Sequence, residues 1–393
     1  MPHFVPFILV LFVIAALFRV DFLFYILYIF FGVFFLSRLW LERAIQRVIV
    51  QREYTDRAFP GEHVAVTLRV RNQGWLPLPW LRVHESLPIE LKAPNFYHCV
   101  LSLLPHEERV LTYDLDCRRR GYYGLGPMLL GSGDLFGLRQ ASRRLEGDDA
   151  LIVYPRIIPL RDLGLPAQTP FGNIPSRQRI FEDPTRLMGV RDYQSGDSLR
   201  HIHWKATAIT GKLQVKRFEP AISIESHIFL NLNREEYTSS RFYLASELGI
   251  ITAASIAHYL IEKRQAVGLS CNGVDPLSEE MRAISLPLGK GRAHLMCILD
   301  LLARIQASRE MPFVDLVGQA SLHLSWGGTA ILITPDADDA LFESMVLMVR
   351  SGFHVVLIVT DPRLPYMQIE RRAAEVGIRT YQVWQERDLD VWR

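Results

Sequence analysis

Four patterns of apolar and polar positions succeed one another along the chain, and each predicts a different kind of element. Phe4–Phe18 and Phe22–Leu36 are two nearly unbroken apolar runs, parted by Arg19 and Asp21. Beyond residue 50 the period changes to two. Val64-Ala-Val-Thr-Leu-Arg-Val-Arg71 alternates as a half-buried strand does, with turn signals at Phe59-Pro-Gly61 before it and Asn72-Gln-Gly74 after it. Tyr97–Leu103, Arg109–Cys117, Met128–Leu130 and Leu151–Tyr154 predict further short strands. Leu76-Pro-Leu-Pro-Trp-Leu-Arg-Val83 reads as an edge or strand-leading segment, because proline cannot donate to a central ladder. Leu39–Gln51 reads as a continuation of the second apolar run as helix. Short strands without helical period predict an all-β immunoglobulin-like sandwich that lacks the Cys–Trp–Cys spacing of antibody domains.

The last third alternates strand and helix patterns. Strands are predicted at His227–Leu232, Ala266–Cys271, Ala283–Leu288, Thr329–Thr334, His354–Thr360 and Arg379–Trp384. Helices are predicted at Phe242–Lys263, Arg292–Gln306, 337–351 and 365–376, where apolar residues recur at helical spacing. Runs such as Thr329–Thr334 are apolar throughout, as strands buried on both faces are. The sum is an α/β doubly wound sheet. The chain is thus multi-domain: a transmembrane helical hairpin over 1–40, a β-sandwich over 41–154, an inter-domain segment over 155–220 and an α/β domain over 221–393.

A membrane-spanning helix needs about 20 apolar residues. Each N-terminal run is shorter unless Met1–His3 and the Trp40 side are recruited. Two short spans in a tight hairpin is the reading adopted, with one long imperfect span or a re-entrant hairpin as alternatives. A cleavable signal peptide would carry a basic start, which Met1-Pro-His-Phe4 lacks, and a second apolar run follows directly. Arg38, Arg43, Arg47 and Arg52 follow the second run, and basic flanks stay cytoplasmic. The expectation is a two-span protein of the inner (cytoplasmic) membrane with its soluble domains facing the cytoplasm. Cys99, Cys117, Cys271 and Cys297 are widely spaced and form no CxxC pair. That spacing argues against a disulfide framework or a zinc ribbon and fits a reducing compartment. A net charge of +2 gives no electrostatic case for nucleic acid.

Candidate chemistry concentrates in Val190–Pro220, which gathers Tyr193, Gly196, Asp197, Arg200, His203, Trp204 and Lys205. Gly196-Asp197 is a turn signal, and Tyr, Arg and Trp suit a polar network or a docking surface. His201 and His203 share a face if the segment is a strand, and with Asp197 they form the outline of a two-His-one-carboxylate site. Packing and hydrogen bonding between domains is the preferred reading, since no third ligand is identifiable. A hydrolase would need a nucleophile elbow or a Cys–His pair, and neither motif is present. Arg118-Arg-Arg120 beside Tyr122 and Tyr123 allows anion binding, but three charges fall below the usual lipid-binding cluster. The preferred reading is a strand-edge cluster that faces solvent or pairs with the following domain. Strand ends carry Asn231 and Asn233 after the first α/β strand and Asp336, Asp338 and Asp339 after the fourth, oxygen donors that suit Mg²⁺ or Ca²⁺ in principle. No Gly-rich dinucleotide fingerprint or Walker loop follows any strand, which disfavours a nucleotide enzyme.

The order of these parts resembles the domain of unknown function 58 (DUF58) family. The carrying motifs are Phe59-Pro-Gly61 with Asn72, Leu76-Pro-Leu-Pro-Trp80, Arg120-Gly-Tyr-Tyr-Gly-Leu-Gly-Pro127, Asp134-Leu-Phe-Gly-Leu138 and Arg191-Asp-Tyr-Gln-Ser-Gly-Asp-Ser-Leu-Arg-His-Ile-His-Trp-Lys205. The resemblance implies a von Willebrand factor A-like C-terminal domain and a place beside MoxR-type AAA+ ATPases. It also raises a divalent-ion site, built in A-type domains from Asp-x-Ser-x-Ser, a Thr and a distant Asp. Here Asn231-Leu-Asn-Arg-Glu235 stands in the first position, no Thr occurs in Gly289–His294, and Asp336 is shifted by Pro335. Asn231, Asn233 and Asp336 are therefore expected to be a degenerate set without a metal, and no cofactor is expected. The expected function is a membrane-tethered, non-catalytic scaffold or adaptor that presents its domains to a partner, a MoxR-type AAA+ ATPase by resemblance. A divalent-ion-dependent adhesion-type module is the first alternative and a hydrolase the second.

Overall fold

The structure is a computed structural model and describes residues 10, 12–13, 21–92, 98–133, 140–160, 182–194, 197–220, 225–278, 283–321, 324, 326–363 and 365–392. Two compact units emerge, Met1–Arg156 with Leu299–Ile305, and Ile157–Ile298 with Gln306–Arg393. Most of the predicted Phe4–Phe18 run and the Asp134–Leu138 motif lie outside the described residues.

In the first unit, helix α1 runs over Asp21–Gln46. Phe22, Tyr25, Tyr28, Phe31 and Leu36 are exposed along it. The ring of Phe12 meets that of Phe24 edge-on, with centroids 6.2 Å apart. A helix end leaves its last carbonyls without intrahelical partners. Here Arg143 Nη1 donates to the Gln46 carbonyl at 2.8 Å and the Val48 carbonyl at 3.1 Å. The predicted helical continuation to Gln51 fails, because strand β1 (Val48–Glu53) begins two residues after α1 ends. Val48-Ile-Val50 is β-branched, and β1 pairs antiparallel with β3 (His63–Asn72) from Val48↔Asn72 to Glu53↔Thr67.

Two four-stranded sheets form the sandwich. One has the order β1-β3-β7-β5, with β5 at Leu91–Lys92 and β7 at Glu108–Cys117. The other has the order β10-β9-β4-β6, with β4 at Leu78–Glu85, β6 at His98–Leu103, β9 at Met128–Gly133 and β10 at Gln140–Leu145. The proline-rich β4 is therefore an interior strand rather than an edge. Its prolines lead the strand, and a register shift between Leu78 and Leu81 against β6 absorbs Pro79. A third, small sheet joins β2 (Arg57–Ala58), β11 (Ala150–Val153) and β8 (Gly121–Gly124). The alternating residues Val64, Val66, Leu68 and Val70 of β3 share one core with Leu81, Val83, Leu115 and Leu130, and with Ala44 and Ile45 of α1. Arg118 pairs with Asp116, and Arg120 donates to the carbonyls of Leu302, Ala303 and Ile305 within this unit. Arg118 and Arg120 thus have protein partners, as the structural reading of that cluster expects.

One buried charge cluster ties the sandwich together. Arg52 on β1 pairs with Glu85 on β4 and with Asp149, and donates to the Leu125 carbonyl at 3.2 Å. The Tyr113 hydroxyl on β7 donates to the other oxygen of Glu85. Burial, with Glu85 beside it, pushes the Tyr113 phenol well above its ordinary range. Glu85 and Arg52 thus bridge the two sheets.

The second unit opens with a two-stranded ribbon of β12 (Glu182–Asp192) and β13 (Gln214–Pro220). A six-stranded sheet follows, built from β14 (Glu225–Leu230), β15 (Ala266–Cys271), β16 (Ile284–Gly289), β17 (Thr329–Thr334), β18 (His354–Val359) and β19 (Arg379–Gln382). The order is β16-β15-β14-β17-β18-β19, parallel except for β16. Phe229, Ala330, Leu332, Leu357 and Val359 pack one face against α5 (Phe313–Ser321), α6 (Asp339–Arg350) and α7 (Tyr366–Glu375). Neighbouring sheet residues lie under α3 (Phe242–Glu262), whose Gly249 approaches Leu230 and Ile333. Helix α4 (Gly291–Arg304) follows β16. Among the described residues, the helix long and apolar enough to cross a membrane by length and composition is α3. Of its apolar 18-residue window 72% is buried, as in a core helix, so the N-terminal hairpin is not the helix that meets this test.

His227 lies in the floor of this sheet, 6% exposed, with Nε2 2.8 Å from Ser270 Oγ. A Cβ on Gly268 would sit 2.3 Å from its ring, so glycine is required there.

Two expectations follow from these buried polar groups. Glu85→Ala leaves Arg52 charged and buried without its main partner. It should cost about 3–5 kcal/mol, read as a lower urea midpoint of the full chain, and joint replacement of Arg52 by Met and Glu85 by Leu should recover most of that. Burial pushes His227 down to about 4 from 6.5. The unfolded chain therefore takes up this proton first as pH falls. His227's contribution is complete above pH 6.5 and declines toward pH 4, by roughly 3 kcal/mol. His227→Gln should flatten the fall in stability between pH 6.5 and 4 measured by urea denaturation.

Candidate functional site

Ligands of doubly wound sheets bind beyond the carboxyl ends of the strands, where the strand order reverses. In this sheet that point lies between β14 and β17. Asn231 follows β14 directly and is fully buried. Its Nδ2 donates to Glu236 at 2.7 Å and to Thr334 Oγ1 at 3.0 Å. Its Oδ1 accepts from the Asn233 backbone at 3.0 Å and from Asn272 Nδ2 at 3.1 Å. One amide thereby joins the ends of β14, β15 and β17. Asn233 donates to Glu236 at 3.1 Å and caps the short turn over Arg234–Glu236 through Glu235 N. Glu236 also accepts from Phe313 N at 2.9 Å. Asp336 accepts from Ala337 N at 2.9 Å, and its carbonyl takes the Thr334 hydroxyl.

This donor set does not suit a hard divalent cation. Asn231 presents its N–H₂ group to Glu236 and Thr334, and its oxygen is already held by two donors. A hard cation requires several converging oxygens with carboxylate charge. Among the described residues, no three His, Cys, Asp or Glu side chains gather as a metal site needs. At the next strand end, Thr360 Oγ1 and Asp361 Oδ2 are buried without a hydrogen-bond partner. Arg241 stands 3.5 Å from the other Asp361 oxygen and stacks on Trp384 at 3.2 Å.

The segment singled out from sequence is an insertion between β12 and β13. Gly196 and Ser195 lie outside the described residues. Asp197 receives a two-pronged guanidinium from Arg191, Nη1–Oδ2 2.7 Å and Nη2–Oδ1 2.6 Å, and also accepts from Gln194 N at 2.9 Å. Such bidentate pairs fix geometry as well as energy. Tyr193 is half-buried and donates its backbone N–H to the Leu213 carbonyl. His201 and His203 do not share a strand face, because the chain makes one turn of 3₁₀-helix over Leu199–His201 and then α2, Trp204–Thr210. His203 is the N-cap of α2, its Nδ1 accepting from Ala206 N at 3.1 Å. Gly211 closes α2 in the left-handed region at φ 69°. Thr207 Oγ1 accepts from Gln214 N, tying the helix to β13.

The internal bonds of this insertion bury Ile202 but leave other apolar side chains outside. Leu199 is 67% exposed, Trp204 69% and Ile209 78%. Arg200, Lys205 and Lys212 are exposed around them. No residue of α2 is buried. A seven-residue helix does not hold itself together in water, so the cap, the αL glycine and the Thr207 link hold it.

The singled-out residues thus fall into two groups, Asn231, Asn233 and Asp336 at the strand ends and Tyr193 to Lys205 on the insertion. Sequence reading missed Glu236, Asn272 and Thr334. The rule that found Asn231, looking just past each strand, applies equally to Asn272 after β15 and to Thr334 at the end of β17. The burial of Cys117 and Cys271 pushes their thiols up to about 11 and about 12, which makes both poor nucleophiles.

Residues 189–320 match the model of a family described as "Protein of unknown function DUF58". The chain is 26% identical over 218 residues to the uncharacterized protein YeaD of Bacillus subtilis (strain 168), covering 54% of this chain and 52% of that one. It therefore spans about half the length of this curated relative. Among solved structures it is similar to a von Willebrand factor type A protein from Catenulispora acidiphila. The identity is 11% and the TM-score 0.31, with 46% of this chain and 43% of that one covered. It is also similar to a CARDB domain from Pyrococcus furiosus, at 19% identity and TM-score 0.19, over 27% and 86% of the two chains. Likenesses at these scores carry no argument, and the folds above rest on strand order and register.

Asn231→Asp tests the neutral hub. The substitution removes the donor to Glu236 and sets a second carboxylate against it. The chain should lose about 2–4 kcal/mol at pH 7, measured by chemical denaturation. The loss should shrink at pH 5 and largely vanish with Glu236→Gln in the same chain.

Proposed function

We propose that this chain, whose residues 189–320 match the DUF58 family model, is a membrane-tethered scaffold whose docking element is the insertion between β12 and β13. The carrying observation is the division of labour inside that insertion. Asp197 and His203, the groups with chemistry to offer, hold the backbone in shape. Leu199, Trp204 and Ile209 stand exposed on the frame so made. A reaction centre keeps its acid or base poised toward substrate, whereas a rigid frame that displays aromatic and aliphatic side chains suits an interface core. The scaffold has no catalytic role and binds no metal in this reading, in keeping with the neutral, internally paired Asn231 hub.

Exposed Arg200, Lys205 and Lys212 surround the apolar residues, so the partner's surface is apolar with an acidic rim. By family resemblance this partner is a MoxR-type AAA+ ATPase. The tether is the N-terminal segment, read as two short spans in a hairpin. Exposed aromatic residues along α1 and the Phe12–Phe24 ring contact support that reading. Basic Arg38, Arg43 and Arg47 just beyond the apolar stretch support a cytoplasmic location for the two units, and four free cysteines fit that compartment.

Pull-down of the tagged full chain from detergent-solubilised membranes should recover an AAA+ ATPase. Trp204→Ala should reduce recovery about tenfold or more, as loss of an interface anchor does. Its melting temperature should not move, because the side chain is exposed. Recovery of no ATPase, or equal recovery with Trp204→Ala, would sink the proposal.

A further inference from the structure

Another exposed tryptophan lies where α1 joins the sandwich. Trp75 is 77% exposed and Leu104 63%. Neither belongs to the docking insertion, and neither contributes to the sandwich core.

Their position along α1 is fixed by hydrogen bonds. Gln73 N donates to the Arg47 carbonyl, and Trp40 Nε1 donates to the Pro77 carbonyl at 3.0 Å. The loop from Gln73 to Pro77 therefore climbs α1 from its last residues back toward its apolar stretch, with Trp75 midway. The loop is rigid: Asn72, fully buried, donates to the carbonyls of Leu76 and Leu104 and accepts from Gly74 N at 2.9 Å. The same bonds hold the β6–β7 turn against it, where Glu107 accepts from Leu104 N at 2.7 Å. Trp75 and Leu104 thus stand on two loops locked to one another and to α1.

The exposed apolar side chains of α1 run from Phe22 to Leu36, and Trp40 follows one turn later. At 1.5 Å per residue, Phe22 to Trp40 spans about 27 Å, close to the roughly 30 Å hydrocarbon core. Trp40 then falls at the headgroup level, where tryptophan concentrates. Exposed Arg43 and Arg47 follow it, as cations do that face lipid phosphates.

We infer that Trp75, with Leu104 beside it, is buried in the headgroup layer of the bilayer that α1 enters, so that the sandwich grips the membrane through its β3–β4 and β6–β7 loops. The occupant of this apolar patch is lipid, by continuity with the apolar surface of α1. A tether alone leaves the body free to swing. A second contact on a locked loop fixes the tilt of the sandwich against the membrane plane.

The inference rests on α1 entering a membrane, and the test separates the two. The full chain is reconstituted into vesicles of phosphatidylethanolamine and phosphatidylglycerol, with or without lipid brominated near the headgroup end of its acyl chains. Tryptophan emission is then compared for the wild type and Trp75→Phe. The wild type should lose emission in brominated vesicles, and Trp75→Phe should lack a distinct share of that loss. Leu104→Trp in the Trp75→Phe chain should restore it. A chain that washes off the vesicles at alkaline pH overturns both the tether and the grip. Retention on the vesicles with equal quenching of wild type and Trp75→Phe, and none gained by Leu104→Trp, overturns the grip and leaves the tether standing. Trp75 is exposed and outside the core, so Trp75→Phe should melt with the wild type, and the comparison reads lipid contact rather than folding.

Discussion

The first unit depends on how a helix end is satisfied where it meets a sheet. Helix α1 stops at Gln46 and β1 starts at Val48, so the carbonyls at this junction lack helical partners. An unpaired buried carbonyl costs free energy comparable to a lost hydrogen bond. Arg143 removes that cost with one guanidinium, reaching the carbonyls of Gln46 and Val48 from β10. A cation at the carboxyl end of a helix is also favoured by the helix dipole. With that end fixed, Ala44, Ile45 and Val48 enter the sandwich core, and the orientation of α1 relative to the strands follows. The Gln73–Pro77 loop, its contact with Trp40 and the exposure of Trp75 all inherit this geometry.

A comparable economy governs the second unit, with opposite electrostatics. Three parallel strand ends converge at the reversal of strand order, and their dipoles and loops must be joined without water. Asn231 does this with a neutral amide that uses two donors and two acceptor directions. An aspartate in that place would bring charge but no donor, and Glu236 already supplies the only carboxylate the network accepts. A neutral hub is stable without a counter-ion, whereas a carboxylate hub there would call for one. Asn231 therefore holds these loops together through side-chain hydrogen bonds alone.

Periodicity carried much of the fold. The long strands β3 and β7, the six strands of the α/β sheet and the helices α3, α4, α6 and α7 have unbroken period-two, apolar or helical patterns, and residue pattern alone located them. Errors arose where pattern and packing diverge. Val48-Ile-Val50 continues an apolar helix as naturally as it starts a strand, and pairing with β3 decides the matter. The prolines of β4 argued for an edge, but a register shift lets one sit inside the sheet. Helix α5 has helical apolar spacing at Phe313, Leu316, Val317 and Ala320 but is only nine residues long, and polar strands such as β10, Gln140–Leu145, carry too few apolar positions to announce themselves. At the insertion, residue types were legible and their roles were not. Composition does not distinguish a histidine that caps a helix from one that binds a metal, nor an exposed tryptophan from a packed one. Only the Arg191–Asp197 fork and the His203 cap, which are three-dimensional facts, separate those cases.

The distribution of satisfied and unsatisfied groups points toward association. Buried charge in the sandwich is paired between Arg52, Glu85 and Asp149. The insertion's carboxylate is held by Arg191, and the strand-end amides are held by one another. A few buried polar atoms of the described residues lack a hydrogen-bond partner, among them Arg52 Nε, Thr360 Oγ1 and Asp361 Oδ2, and Arg241 stands beside the Asp361 carboxylate. Among the exposed apolar side chains, two groups stand on hydrogen-bonded frames: Leu199, Trp204 and Ile209 on one, Trp75 and Leu104 on another. Exposed apolar area gains free energy by about 25 cal/mol per Å² when removed from water. Both frames are braced by hydrogen bonds that keep these side chains from folding back into the protein. Bracing of that kind lowers the entropy lost on contact, so the polar networks act by preparing two apolar surfaces for what covers them.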